Sequence, residues 1–149
     1  MDTLKLLADT KHKTLAYFEL PEFDLSKTYG DGKWSIQQIL VHLADTETVL
    51  YERIRRIIAE PRQVLWNFDQ DAWEEGLDYK TYPLVLSKNL YVSVRDNIIY
   101  LAEQHYEALG AKEYVHSDTG VRTLKDEFDK VASHNLHHLK QVAVALKKN

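Results

Sequence analysis

The sequence has no cysteine among its 149 residues, and it is poor in the residues that interrupt helices, with 3 prolines and 5 glycines. Without cysteine the chain has no disulfide framework, thiolate zinc site, iron–sulfur cluster or thiol nucleophile of its own. Any metal must therefore be held by His, Asp or Glu. The scarcity of glycine and proline leaves long uninterrupted periodic stretches, which are typical of a helical protein.

Two further shortages narrow the range of functions. The 19 Lys and Arg residues do not exceed the 23 Asp and Glu residues, and the resulting net charge of −4 argues against a nucleic-acid-binding protein. No apolar run is long enough to cross a membrane, and the first residues become acidic too early for a secretory signal. We therefore expect a cytoplasmic protein without a membrane partner, in which residues 1–149 form one domain.

What the sequence contains instead is four long stretches in which apolar residues recur at helical spacing. They predict long helices over about residues 2–19, 35–60, 82–109 and 123–147, and a short helix starting at Asp69. Ser35 with Gln38, and Thr123 with Asp126, have the spacing of helix N-terminal caps. Four helices of this length favour an all-α fold with the architecture of a four-helix bundle.

The connections between the stretches predict the directions of the helices. Short loops make the first two helices antiparallel, and likewise the last two. Segment 62–81 is long enough to cross the bundle, so we expect the third helix to run parallel to the second. The predicted topology is up-down-down-up, in which the second and fourth helices are antiparallel.

Polar residues occupy core positions on two of the predicted helices. Glu47 occupies a position in the second helix where the spacing of the apolar stripe calls for an apolar residue. Asn135 and His138 occupy such positions in the last helix. A buried polar group without a partner is costly, so each of these residues needs one. For Glu47 and Asn135 two interpretations stay open. They orient metal ligands, or they form a structural contact that sets the register of the helices.

Three further polar residues receive a structural interpretation. Arg95 and His105 lie on the apolar stripe of the third helix. The favoured interpretation is that Arg95 extends its charged end to solvent and that His105 is simply a histidine at the end of the helix. Asp45 follows His42 by three residues and projects away from the stripe, which predicts a surface charge.

Histidines supply the strongest functional signal in the chain. His134 and His138 are four residues apart, which places their imidazoles on one helix face in the spacing that presents two nitrogens to a metal. His42 is the candidate third ligand, because antiparallel second and fourth helices bring it to a similar depth. The alternatives are an accidental pair on the last helix and a hydrogen-bonded histidine at the core edge. His137 points away from the stripe and is interpreted as solvent-facing or as a neighbour of the ligands.

Five segments form a recognisable series along the chain: Lys33–Gln38, His42–Asp45, Asn67–Trp73, His116–Gly120 and His134–His138. In this order, over about residues 30 to 145, they resemble the DinB-like superfamily, and within it the YfiT branch. This branch includes bacillithiol transferases and proteins first described as metal-dependent hydrolases.

The resemblance implies an up-down-down-up bundle and a divalent metal, zinc, nickel or manganese, bound by His42, His134 and His138. It also implies that homodimers are common and that a low-molecular-weight thiol can act as cosubstrate, held on the metal as thiolate. A chain without cysteine is compatible with a thiol supplied from outside.

The leading functional hypothesis is a metal-dependent enzyme acting on a small molecule, either a thiol S-transferase or a hydrolase, in which the ion activates a thiol or water. Glu47, Asn135 or His137 would lie next to the ligands, and Arg53 and Trp73 are predicted to bind substrate. The alternative is a non-catalytic metal-binding bundle with a structural or stress-response ligand-binding role.

Overall fold

Four long helices dominate the computed structural model, which describes residues 2–148. They are α1 (Thr3–Phe18), α3 (Ile36–Ala59), α5 (Leu84–His105) and α6 (Leu124–Leu146). Two short helices lie between them, α2 (Glu22–Leu25) and α4 (Gln70–Gly76). The predicted four-helix bundle is confirmed, and α4 begins next to Asp69 as expected. None of the helices described here is both long and apolar enough to cross a membrane.

The two helices that carry the candidate ligands begin at well-formed caps. Ser35 Oγ accepts from the backbone N–H of Gln38, and the Gln38 side chain accepts in return from the N–H of Ser35. Thr123 and Asp126 form the same reciprocal arrangement at the start of α6. Such a cap satisfies backbone N–H groups that have no partner within the helix. Both starts are therefore fixed by local sequence, as predicted.

Contacts between the helices establish their directions. Gln37 at the start of α3 donates to the Tyr82 carbonyl just before α5, and Glu47 further along α3 pairs with Arg95 of α5, so these helices run parallel. Helices α3 and α6 are antiparallel. His42, early in α3, contacts His134 of α6, whereas Arg53, later in α3, contacts Glu127, which comes earlier in α6.

The remaining helix, α1, runs parallel to α6, because Thr3 bonds Asp129 and Thr14 bonds Asn135. The predicted up-down-down-up order is confirmed. Helices α1 and α3 each pack against both α5 and α6.

A small sheet, which the sequence did not predict, caps one end of the bundle. It consists of β1 (Val64–Leu65), β2 (Glu113–His116) and β3 (Gly120–Thr123), with β1 parallel to β2 and β2 antiparallel to β3. Strands of two to four residues are too short to show a period in the sequence, and β1 pairs with residues about fifty positions away. The sheet anchors segment 62–81 and brings His116 beside α6.

A polar network interrupts the apolar core at mid-bundle. Arg95 is 0% exposed, so the snorkelling interpretation was wrong. Its Nε donates to Glu47 Oε2 over 2.9 Å, and its Nη2 donates to Asn135 Oδ1 over 3.0 Å. Thr10 and Thr14 of α1 complete the network. The residues that break the stripes of three helices therefore pair with one another, and only Asn135 Nδ2 within this network lacks a partner among the described residues. Such pairing reduces the cost of burying polar groups.

Candidate metal centre

Three histidines converge where α3 and α6 pack against each other. His42 comes from α3, and His134 and His138 lie one turn apart on α6. Nε2 of His134 is 3.1 Å from Nε2 of His42 and 3.2 Å from Nε2 of His138. The ligand atoms of the three residues all lie within 4.8 Å of one another. Within residues 2–148 this is the one group of three or more His, Asp or Glu side chains with such an arrangement.

The donor set fits a divalent metal. Two nitrogen ligands on a tetrahedral zinc ion, at the usual zinc–nitrogen distance, are about 3.4 Å apart. The two closest nitrogen pairs here are 3.1 and 3.2 Å apart, so small side-chain movements would accommodate an ion. Imidazole nitrogens are suitable ligands for zinc and nickel. The structure thus brings together the three residues predicted as ligands, and metal binding by them stays a prediction.

Burial keeps the three imidazoles neutral, which is the form that binds metal. Burial, together with the nearby His138, lowers the pKa of His42 to about 3. Burial and then the neighbouring histidines lower the pKa of His134 to about 2. Burial also lowers the pKa of His138 to about 4, although a hydrogen bond with Gln141 opposes this shift. The lone pairs of all three rings are therefore available at neutral pH.

Gln141 orients one of the rings, and sequence reasoning missed it. His138 Nδ1 lies 2.7 Å from Gln141 Oε1, an acceptor, so the ring proton is on Nδ1 and the Nε2 lone pair faces the other histidines. Hydrogen bonds of this kind commonly fix the tautomer of a metal ligand. The signal was present in the sequence, because Gln141 follows His138 by three residues and so shares its helix face.

A surface cavity of about 390 Å³ opens beside the histidines. His134 and His138 form part of its wall, together with His137 and Gln141 on the same helix. The loop from Tyr29 to Trp34 and the start of α4 contribute the other lining residues. The Trp34 ring also packs against His42, with 4.9 Å between ring centroids. Segment 62–81 therefore reaches the site, because α4 at its centre contributes Gln70 and Asp71 to the cavity.

With this geometry in place, comparison with known proteins gives the family. The sequence model that describes the DinB superfamily matches residues 6–142. The chain belongs to the DinB superfamily.

Relatives of this DinB-superfamily chain carry names that refer to a metal. A protein of Oceanobacillus iheyensis named "Putative metal-dependent hydrolase" is 28% identical over 130 residues, which are 87% of this chain and 75% of that protein. The "Putative metal-dependent hydrolase YfiT" of Bacillus subtilis is 26% identical over 128 residues, covering 83% of this chain and 70% of the relative.

The solved structure of Bacillus subtilis YfiT has the same fold. It superposes with a TM-score of 0.85 at 24% sequence identity, covering 95% of this chain and 82% of that one. That structure is described as "a probable metal-dependent hydrolase with an unusual four-helix bundle topology". At this identity the likeness establishes the fold of the DinB-superfamily chain and no more.

Three residues of this DinB-superfamily chain were predicted to lie next to the metal ligands, and they fall into two groups. Neither Glu47 nor Asn135 hydrogen-bonds to any of the three histidines, and both instead bind Arg95 in the core. Their contacts correspond to the structural alternative, the one that sets helix register. His137 is exposed and lies 3.1 Å from Gln141 Nε2, so it connects to His138 through that side chain.

The two predicted substrate-binding residues do not line the cavity beside the histidines. Arg53 is 2% exposed, because Nη1 lies 3.3 Å from Glu127 and Nη2 donates to the Trp66 carbonyl over 2.6 Å. It follows His42 by eleven residues, which is about 16 Å of helix. Trp73 packs on Phe68 instead, with 4.9 Å between ring centroids.

Asp45 also differs from its prediction. The sequence predicted a surface charge, but the residue is half-buried and accepts a hydrogen bond from Tyr79 Oη over 2.6 Å. Burial raises the pKa of Asp45, and the bond from Tyr79 opposes the shift. Tyr79 arrives from segment 62–81, whose path cannot be read from helical periodicity, so its contact with Asp45 could not be foreseen.

Replacing Gln141 by leucine is expected to weaken metal binding about 10- to 100-fold, the usual cost of losing a partner that orients a ligand. The reason is that a leucine side chain accepts no hydrogen bond, so the His138 proton would be free to occupy either ring nitrogen. Competition with a chromophoric chelator measures the affinity. Gln104→Leu, at an exposed glutamine of α5, is the matched control. Equal affinities for the two variants would contradict the orienting role.

The metal-free protein is expected to lose stability as pH falls below 6.5. An unfolded histidine takes up a proton near pH 6.5, whereas the three folded ones stay neutral to about pH 4. The unfolded chain then binds more protons, so the free energy of unfolding falls by up to about 1.4 kcal/mol per pH unit for each such histidine. Urea unfolding with chelator present measures how the free energy of unfolding changes between about pH 7 and 5. This range lies above the pH at which most carboxylates titrate.

The variant His134→Asn supplies the comparison for this slope. Asparagine is polar and does not titrate, so its slope between about pH 7 and 5 is expected to be shallower than that of the parent protein. A slope equal to that of the parent would show that His134 takes up its proton equally in the folded and unfolded chains.

Proposed function

We propose that this protein is a metal-dependent enzyme in which a divalent ion, held by His42, His134 and His138, activates a small nucleophile. The observation that carries the proposal is the convergence of three imidazole Nε2 atoms beside a cavity of about 390 Å³. The names of its relatives, which describe putative metal-dependent hydrolases, support it.

The protein's own side chains prepare this site. Helix α6 presents two of the proposed ligands one turn apart, and burial keeps all three rings neutral. Gln141 fixes the orientation of His138, and Trp34 packs against His42. Because these contacts restrict the rings before an ion binds, less conformational freedom is lost on binding.

When bound, the ion would supply Lewis-acid chemistry that lowers the pKa of a coordinated water or thiol toward neutrality. Three protein ligands are typical of catalytic sites, because they leave a position for a reactant. The chain has no cysteine, so a thiol would enter as a low-molecular-weight cosubstrate. The proposed reaction is therefore hydrolysis of a small molecule, or transfer of such a thiol to an electrophilic one.

A small molecule is the proposed substrate. The cavity falls within the size range of ligand pockets, about 300–1,000 Å³. Tyr29 and Trp34 offer apolar surface, while Gln70 and Asp71 offer polar groups that can fix orientation. The net charge of −4 disfavours nucleic acid as a partner.

Elemental analysis tests the first half of the proposal. The protein is purified without a histidine tag and its content of zinc, nickel and manganese is measured, together with that of His138→Ala. We expect close to one divalent ion per chain in the parent protein and a strong loss in the variant. Metal at background level in the parent protein would overturn the proposal.

Activity assays with the loaded protein test the second half. They cover hydrolysis of ester, amide and phosphoester substrates, and conjugation of low-molecular-weight thiols to an electrophilic dye. We expect at least one activity that chelation removes and that His138→Ala lacks. If chelation lowers the melting temperature and no reaction occurs in any assay, the non-catalytic, structural alternative replaces the enzyme.

A further inference from the structure

A second cavity, of about 410 Å³, lies between the β2–β3 hairpin and the first half of α6. We refer to it as the hairpin cavity. None of its lining residues borders the cavity at the histidines. Its wall combines basic and acidic side chains with His116, which belongs to a motif that the proposed metal site does not use.

The acidic side chains of the hairpin cavity already accept hydrogen bonds within the fold. Each has a partner elsewhere in the protein: Glu127 binds Arg53 and Tyr114, Asp126 binds Thr123, and Asp129 binds Tyr106. Their oxygens therefore accept hydrogen bonds from the protein itself, and Glu127 is in addition paired with the Arg53 guanidinium.

The basic side chains, by contrast, have spare hydrogen-bond donors. Lys130 makes no ion pair or side-chain hydrogen bond with any residue in 2–148. Arg122 contacts Thr119 through Nε, at 3.2 Å from Oγ1, and makes no ion pair within the same residues. Both side chains are exposed at the rim of the cavity. Two positive charges are thus available to a ligand.

His116 adds a third donor, and its hydrogen-bond partners settle its tautomer. Its Nδ1 accepts from the backbone N–H groups of Asp118 and Thr119, at 3.1 and 3.4 Å, so the ring proton of the neutral imidazole is on Nε2. The residue is 5% exposed, and Nε2 has no acceptor among the described residues. A buried donor without an acceptor costs about 1–3 kcal/mol, so an acceptor atom from a ligand or an ordered water would be stabilising.

We propose that the hairpin cavity binds a small molecule through an anionic oxygen group, phosphate or carboxylate, which accepts from Lys130, Arg122 and His116 Nε2–H. All three spare groups are donors and two are charged, so an anionic acceptor satisfies them together. The cavity is larger than a phosphate or carboxylate group alone, so it has room for an organic part of the ligand. The proposal does not depend on metal binding, because none of the three proposed ligands borders this cavity.

Titrations followed by ¹H–¹⁵N NMR test this proposal, with inorganic phosphate and succinate as the two probes at constant ionic strength. We expect saturable shifts of the Asp118 and Thr119 amides with at least one probe, and the probe that binds more tightly identifies the anion. Lys130→Met is expected to weaken binding about tenfold, since it removes a charge-assisted hydrogen bond. Lys140→Met, at an exposed lysine on the same helix, is expected to bind like the parent protein.

A second variant isolates the buried donor. His116→Asn keeps an acceptor near the position of Nδ1, which preserves the turn, and removes Nε2–H. We expect it to weaken binding about tenfold as well, while its circular dichroism stays that of the parent. His138→Ala, which removes a proposed metal ligand, is expected to leave anion binding unchanged.

Three outcomes would overturn the assignment. The first is the absence of saturable shifts with both probes, and the second is equal weakening by Lys130→Met and Lys140→Met. The third is binding that His138→Ala removes and Lys130→Met does not, which would move the anion to the metal centre.

Discussion

His134→Ala is expected to lower the affinity for a divalent metal on the order of 100-fold, because it removes the residue at the middle of the site. Its Nε2 lies within 3.2 Å of the Nε2 atoms of both His42 and His138, whereas those two atoms are not hydrogen-bonded to each other. Structural zinc sites with four ligands bind with about 10–16 kcal/mol, or about 3 kcal/mol per ligand, and about 1.4 kcal/mol is a factor of ten.

Two measurements check this expectation. Calorimetric titration with zinc gives the affinity, and the zinc-induced rise in melting temperature gives it independently, since a ligand at 100 times its Kd stabilises by about 2.7 kcal/mol. In His134→Ala a 100-fold loss of affinity is expected to reduce this stabilisation to about 0.4 kcal/mol at the same zinc concentration.

His137→Ala is the matched control for this prediction. It removes an exposed imidazole from the same helix, one that bonds Gln141 and packs against His138 but is not among the three converging rings. We expect it to retain zinc affinity within about tenfold of the parent protein, less than the cost of a lost ligand. If both variants lost affinity equally, the ion would not be bound by the converging Nε2 atoms.

Arg95→Met is expected to reduce the free energy of unfolding by about 3–5 kcal/mol, because it leaves the Glu47 carboxylate buried without its ion-pair partner. Burial opposes the charged form of Arg95, but the neighbouring carboxylate more than compensates and raises its pKa, so the guanidinium stays charged. Domains of this kind are stabilised by about 5–15 kcal/mol, so the loss is a large share of the total. Urea unfolding monitored by circular dichroism measures it.

Two variants show whether burial is the reason for this cost. Arg56→Met breaks ion pairs that are about half exposed and is expected to cost far less than Arg95→Met. The double variant Glu47→Leu with Arg95→Met removes both charges, so it is expected to be more stable than Arg95→Met alone. A double variant less stable than the single one would mean that Glu47 does not need Arg95 as its partner.

The part of the candidate site that followed from the sequence is the part set by helical geometry. Residues four apart share a helix face, so His134 and His138 could be paired from their spacing. The antiparallel order of the second and last long helices, inferred from loop lengths, then brought His42 to a similar depth. Gln141 obeys the same rule and could have been found in this way.

The two arginines whose surroundings could not be predicted have partners that lie far away in the chain. Arg53 has Glu127 and the Trp66 carbonyl as partners, and Arg95 has Glu47 and Asn135. Whether a long polar side chain reaches solvent or an internal partner depends on what packs opposite it. A single helix stripe does not contain that information.

The sequence by itself determined the four helices, their caps, the order of their directions and the shared helix face of His134 and His138, because periodicity, cap spacing and loop length are local properties. Only the tertiary structure decided that Glu47, Arg95 and Asn135 form one buried network, that the start of α4 rather than Trp73 reaches the cavity, and that a short sheet places His116 beside α6. These contacts join residues that are distant in the chain, and the low-dielectric interior that strengthens their hydrogen bonds exists only once the helices have packed.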